Sequence, residues 1–145
     1  LSPRKEEAMT RRIEASEAPI EMSFWIPGNQ EDPDGNPIPY YRMTRRSKWV
    51  DLGAQRYLAW KKYVRECAVQ AGLKFGEIEP NGVYKLDVQI VFKGEKHGDP
   101  GNVRKGIEDA IFETFGDKHV FGYVTFIHSK NNPGVTIFLK KDMEE

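Results

Sequence analysis

Four side chains in one short region could do chemistry together: Asp99, Lys105, Asp109 and Asp117. Asp99 sits in "HGDPGNVRKGIEDAIF" (97–112), among Pro100, Gly101 and Asn102, directly before an apolar-periodic run. Asp, Pro, Gly and Asn are also what turns and helix starts use, so Asp99 reads equally as a helix cap. At about 100° per residue, Val103, Ile107, Ala110, Ile111 and Thr114 share one arc of the helix that follows. Asn102, Lys105 and Asp109 share the opposite side, with Phe112 near its edge. Asp117 comes one short loop later. If the next strand pairs beside the strand over 84–93, Asp117 returns close to Asp99. Carboxylates converging at strand ends hold Mg²⁺ through hard oxygens, and the ion keeps waters and binds a substrate phosphate. A metal-activated water and a nearby Lys are the equipment of phosphodiester hydrolysis. Surface ion pairs would leave the same pattern of residues.

These residues need elements to position them. "IEMSFWIPG" predicts a first strand with Met22, Phe24 and Ile26 on one face. A polar loop dense in Pro, Gly, Asn and Asp follows. Asp51 then caps a long helix, with Gly72 as its stop and Tyr57, Trp60, Val64, Cys67 and Ala71 as its buried stripe. Gln55, Lys61, Lys62, Arg65 and Glu66 take its wet side. "VYKLDVQIVFK" alternates cleanly, burying Tyr84, Leu86, Val88, Ile90 and Phe92. After the Asn102 helix come "VFGYVTFIHS" and "GVTIFLKK", with Asn131, Asn132, Pro133 and Gly134 between them, which predicts a hairpin. The order β-α-β-α-β-β gives an α+β (α/β) class, a small mixed sheet with two helices packed on it. Residues 1–19 read as a charged, flexible tail and residues 20–145 as a single domain.

Composition narrows the rest. Apolar residues at 39% and charged residues at 30% suit a globular domain with a solvated surface. No apolar run approaches the ~20 residues that span a bilayer. The lone Cys67 fits a reducing cytoplasm and, inside an amphipathic helix, a buried structural thiol. Net charge is zero, which argues against non-specific coating of duplex DNA but leaves room for local charge. "YYRMTRRSKW" supplies it: Arg42, Arg45, Arg46 and Lys48 lie between aromatics with no acid, a pattern that grips phosphates and stacks on bases or simply solvates a loop. His97, His119 and His128 lack zinc-site spacing, though His97 and His119 flank the acids.

The acidic run resembles the signature of the RusA family of Holliday junction resolvases: Asp-x-Asp-Asn, two residues, Lys, three residues, Asp-Ala-[Leu/Ile], then (Asn/Asp)-Asp-x-x-Val. Against it stand Asp99-Pro100-Gly101-Asn102, Lys105, Asp109-Ala110-Ile111, and Asp117 with Val120. "GNPIPYYRMTRRSKW" and "YLAWKKYV" are similar to the phage-borne branch, so the likeness runs from about residue 20 to 140. It implies a cytoplasmic, bacterial or phage-encoded endonuclease that resolves four-way DNA junctions in recombination and repair. It also implies a homodimer, because paired nicks need two sites about a two-fold axis. Asp99 and Asp117 would hold Mg²⁺ (or Mn²⁺), Lys105 would stabilise the transition state, and Asp109 would support the site. Asn102 and Lys105 would join Arg42, Arg45, Arg46 and Lys48 against the DNA. Where the family has a second Asp, this chain has Gly101, which predicts lowered or absent cleavage. A catalytically inactive junction-binding protein is the alternative reading. A domain whose acids only cap and pair at the surface is a third.

Overall fold

The computed structural model describes residues 20–112 and 120–142, with the side chains of Ser47 and Lys48 excepted. The elements run β1 (Glu21–Pro27), α1 (Ser47–Val50), α2 (Leu52–Gln70), a 3₁₀ turn (Phe75–Glu77), β2 (Tyr84–Lys93) and α3 (Pro100–Ile111). They end with β3 (Val120–Phe121), β4 (Val124–Ser129) and β5 (Gly134–Lys141). This is the α+β class with a mixed sheet and two principal helices. The N-terminal tail expected over 1–19 lies outside the described residues.

The sheet order is β1-β5-β2, with β3 and then β4 along the far edge of β2. β5 runs antiparallel to both β1 and β2, while β3 and β4 run parallel to β2. The hairpin expected between β4 and β5 therefore does not form, because β2 lies between them. The turn residues do reverse the chain, and Asn132 takes a left-handed φ of 57° there. A reversal signal reports the change of direction and is silent about an intervening strand. The single strand expected from "VFGYVTFIHS" is also split. Gly122, at φ 142°, lies against the Leu86 carbonyl where no side chain would fit, and it separates β3 from β4.

One face of the sheet is covered. Phe24 and Ile26 of β1, Leu86, Val88, Ile90 and Phe92 of β2, and Val135, Ile137 and Leu139 of β5 are buried, as period-two alternation requires. Tyr57, Trp60, Val64 and Ala68 of α2 meet Val103, Ile107, Ala110 and Ile111 of α3 in the same cluster. Asp51 caps α2 by accepting from Gly53 N at 2.8 Å, and Gly72 (φ 108°) ends it.

Two α2 positions differ from the sequence reading. Ala71 is exposed, and the stripe ends on Ala68 instead. Lys61, expected in water, is 5% exposed, and Arg65 turns inward to donate to the Ala110 carbonyl at 2.6 Å. Both cations are drawn in by acceptors on α3, which a period computed along α2 alone cannot register. Cys67 is half-buried, and burial raises its thiol above the ordinary value. No helix of the described residues is long and apolar enough to cross a membrane.

Candidate active site

The opening ambiguity over Asp99 has a structural answer for its capping half. Asp99 is the N-cap of α3: its backbone is extended (φ −65°, ψ 133°), and its Oδ2 accepts from Asn102 N at 3.1 Å. Pro100 takes the first helical position, where its missing N–H costs nothing. The Asp99 side chain is nonetheless exposed, and a carboxylate has acceptor capacity well beyond one N–H. Capping and ligation are compatible at this residue. The loop carrying it leaves the carboxyl end of β2, beside the carboxyl end of the parallel β4. That is where open parallel sheets place ligands.

Gly101 is exposed and has no positive φ, so its backbone accepts a side chain. A Cβ built there would lie 3.0 Å from Asp99 Oδ2, the movable end of a surface side chain. An Asp at 101 would therefore set its carboxylate next to that of Asp99 after a shift of a few tenths of an ångström. The position that departs from the family signature is thus one where a second carboxylate can stand beside the first.

Asn102, Lys105 and Asp109 do share one side of α3, as their spacing predicts, but that side is packed. The Asn102 carbonyl accepts from Tyr40 N at 2.8 Å. Lys105 is exposed and holds its ammonium 4.2 Å above the Tyr40 ring, a cation–π contact that fixes its direction. Asp109 lies ten residues on from Asp99, about 15 Å along the helix axis. It faces α2, where Tyr57 Oη donates to its Oδ2 at 2.7 Å and Lys61 Nζ stands 3.3 Å from the same oxygen. Its contacts belong to the α2–α3 interface.

Asp117 and His119 lie outside the described residues. The strand that follows them enters the sheet as expected, beside β2. The pairing is parallel, so Val120 meets Tyr84, at the end of β2 opposite the one from which the Asp99 loop departs, and pairing beside β2 does not carry the return toward Asp99 that the sequence reading attached to it. Among the described residues, no group of three or more His, Cys, Asp or Glu side chains could hold a metal. Asp99 is the one sequence-predicted metal ligand within the described residues.

Next to Asp99 the structure assembles a pair that sequence spacing hides. His97 Nε2 and His128 Nε2 are 2.8 Å apart, and His97 stacks on Phe92 with ring centroids 3.7 Å apart at 7°. His97 Nδ1 lies 2.8 Å from the Gly98 carbonyl, which can only accept, so Nδ1 carries the hydrogen of that bond. The pair depends on the parallel register that sets Phe92 beside His128. Thirty-one residues of sequence separate the two rings.

The basic run forms an exposed rim. Arg42, Arg45 and Arg46 are exposed, and Trp49 on α1 is 73% exposed between them and α2. Of the Lys48 side chain nothing is described. Tyr41 anchors the rim by donating a hydrogen bond to Asp51. That bond holds the Asp51 carboxyl below its usual range, helped by Gly53 N–H, and raises the Tyr41 hydroxyl. The region thus offers local positive charge and exposed aromatic surface on a chain with no net charge.

Comparison with known proteins adds no relative: no family model matches the chain, and no curated protein matches it.

Proposed function

We propose that this chain is a RusA-like, Mg²⁺-dependent, structure-selective endonuclease acting on four-way DNA junctions as a homodimer. The observation that carries the reading is Asp99: an exposed carboxylate capping a helix at the carboxyl end of parallel strands, inside the signature spacing with Asn102, Lys105 and Asp109. In this reading Asp99 holds Mg²⁺ or Mn²⁺, which when bound would supply an activated water and charge compensation on phosphate. Asp117, three residues before the Val120 that pairs at the far end of β2, is not counted on the same ion within one chain. Lys105, aimed by Tyr40, offsets charge on the reacting phosphate. Asn102 keeps the Asp99 loop in place through its backbone bonds to Asp99 and Tyr40. Arg42, Arg45, Arg46 and Lys48 follow the backbone of a junction arm, and Trp49 offers a face for stacking. Asp109 acts at one remove, by holding α3 against α2.

Gly101 supports a second reading, a junction-binding protein that does not cut. The family's second carboxylate is missing, and a cation with fewer carboxylates is held more weakly.

The deciding experiment is a labelled four-way junction incubated with the chain and with Gly101→Asp, each with and without Mg²⁺. Paired, metal-dependent nicks from the chain itself support the nuclease. Nicks only from Gly101→Asp support the binding protein, because the added carboxylate has room beside Asp99. Failure of both forms to prefer a junction over plain duplex overturns both readings.

A further inference from the structure

Two histidines that lie far apart in sequence meet at the end of the sheet. The parallel register sets His128, near the end of β4, beside Phe92. His97, on the loop that leaves β2, stacks on the same Phe92 ring. Their Nε2 atoms are 2.8 Å apart and their ring centroids 4.9 Å. His97 is held from behind, since its Nδ1 donates to the Gly98 carbonyl at 2.8 Å. A histidine that ligates a metal is characteristically fixed by such a bond through its other nitrogen, which sets the tautomer and aims the Nε2 lone pair. Phe126 stands edge-on to His128 at 5.9 Å, so both imidazoles rest against phenyl rings. His128 is exposed and lines a surface depression with Gly94, Glu95, Ser129 and Lys130, through which an ion can reach the pair.

We propose that His97 and His128 form a zinc-binding site, one ion per chain, separate from the oxygen ligands of the candidate active site. Zn²⁺ takes neutral imidazole nitrogens at about 2.0–2.1 Å in a tetrahedral array. Two such bonds place the nitrogens about 3.3 Å apart and the ring centroids about 5.2 Å apart. Against the observed 2.8 and 4.9 Å, the nitrogens must part by about 0.5 Å and the rings by about 0.3 Å. The exposed His128 ring has room to give that much. The hydrogen that closes the contact in the free chain yields to the ion and passes to water or to His128 Nδ1. Two positions on the ion are left to water, because among the described residues no third His, Cys, Asp or Glu completes the group. Mg²⁺, which takes oxygen ligands, does not compete for this pair. Zinc here would tie the end of β4 to the loop two residues before Asp99, and so fix that loop. The site stands whether or not the chain cuts DNA.

The test is titration of the full chain, free of any affinity tag, with Zn²⁺ by isothermal calorimetry. One equivalent is expected to bind. His97→Ala and His128→Ala should each weaken binding at least tenfold, and the double variant should be little weaker than either, since a chelate is lost with its first arm. His119→Ala and Cys67→Ser should bind as the parent does. His119 precedes the Val120 that pairs at the far end of β2, and Cys67 is on α2. About a hundredfold excess of Mg²⁺ should leave the zinc in place. In the unsubstituted chain, paramagnetic Co²⁺ used in place of zinc should shift or broaden the NMR signals of residues around 97 and 128 first, a readout that needs no variant to fold. No binding by the parent, binding that survives either His→Ala change, displacement of zinc by Mg²⁺, or Co²⁺ effects centred elsewhere would each overturn the proposal. Junction cleavage is measured separately, so failure here leaves the nuclease reading to its own experiment.

Discussion

Asp109 on α3 accepts a 2.7 Å hydrogen bond from the Tyr57 hydroxyl of α2, and the same oxygen is 3.3 Å from the Lys61 ammonium. One carboxylate oxygen therefore serves both groups of the neighbouring helix. Lys61 is almost fully buried, with its side chain 6% exposed against 34% for Asp109. Removing the acid strips a counter-charge from a cation that water hardly reaches. Asp109→Ala should lower unfolding stability by about 2–3 kcal/mol, and Tyr57→Phe by about 1 kcal/mol. Urea denaturation of both variants checks this. An Asp109→Ala protein as stable as the parent would return Asp109 to the list of residues that act on a ligand.

At Asp99 the two roles separate by substitution. Asn caps helices about as well as Asp, whereas Ala does not. Asp99→Asn should stay within about 0.5 kcal/mol of the parent, and Asp99→Ala should lose about 1 kcal/mol. Any Mg²⁺-dependent cleavage should fall at least tenfold in both, since each lacks the anionic oxygen. Cleavage that persists in Asp99→Asn would confine this residue to capping.

The exposed rim makes a prediction in salt. If Arg42, Arg45 and Arg46 contact phosphates, replacing all three with Ala should flatten the slope of log affinity against log salt by about 2–3. Fluorescence anisotropy on a labelled junction over a salt series reads this directly. An unchanged slope would move the DNA surface elsewhere.

Asp51 ties the rim to α2, and its carboxyl is held below the ordinary value chiefly by the Tyr41 hydroxyl. A group depressed on folding contributes stability above its unfolded value, near 3.8, and loses it as pH falls through the folded one. Asp51→Asn keeps a capping oxygen but cannot ionise. The stability gap between parent and Asp51→Asn should be full at pH 7 and shrink below about pH 4. Urea midpoints measured at both pH values decide it, and a gap that does not vary with pH would assign the Asp51 contribution to packing.

Much of this molecule is legible in its sequence, and the exceptions share a cause. β1, β2, the long α2 and the capped α3 follow from periods of 2 and 3.6 and from Asp51, Asp99 and Gly72, all of which act within a few residues. The failures involve partners far along the chain. No local signal says that β5 inserts between β1 and β2, that Lys61 finds Asp109, or that His97 meets His128. The α3 arc of Val103, Ile107, Ala110 and Ile111 was readable because a helix face is local. What covers the opposite side, Tyr40 and Tyr57, was not.

The place of β5 also sets a timetable. β1 has one strand neighbour among the described residues, and that neighbour, β5, is the last of the described strands in chain order. Between Pro27 and Gly134 about a hundred residues must leave the ribosome, which at ~5–20 residues per second takes on the order of 5–20 s. Throughout that interval Phe24 and Ile26 have no ladder to join, while β2 and α3 are completed within it. The nascent chain therefore carries an unpaired apolar strand from the emergence of Pro27 until β5 follows it. A copy terminated before β5 would lack the strand that joins β1 to β2, and would be a substrate for chaperones and proteases.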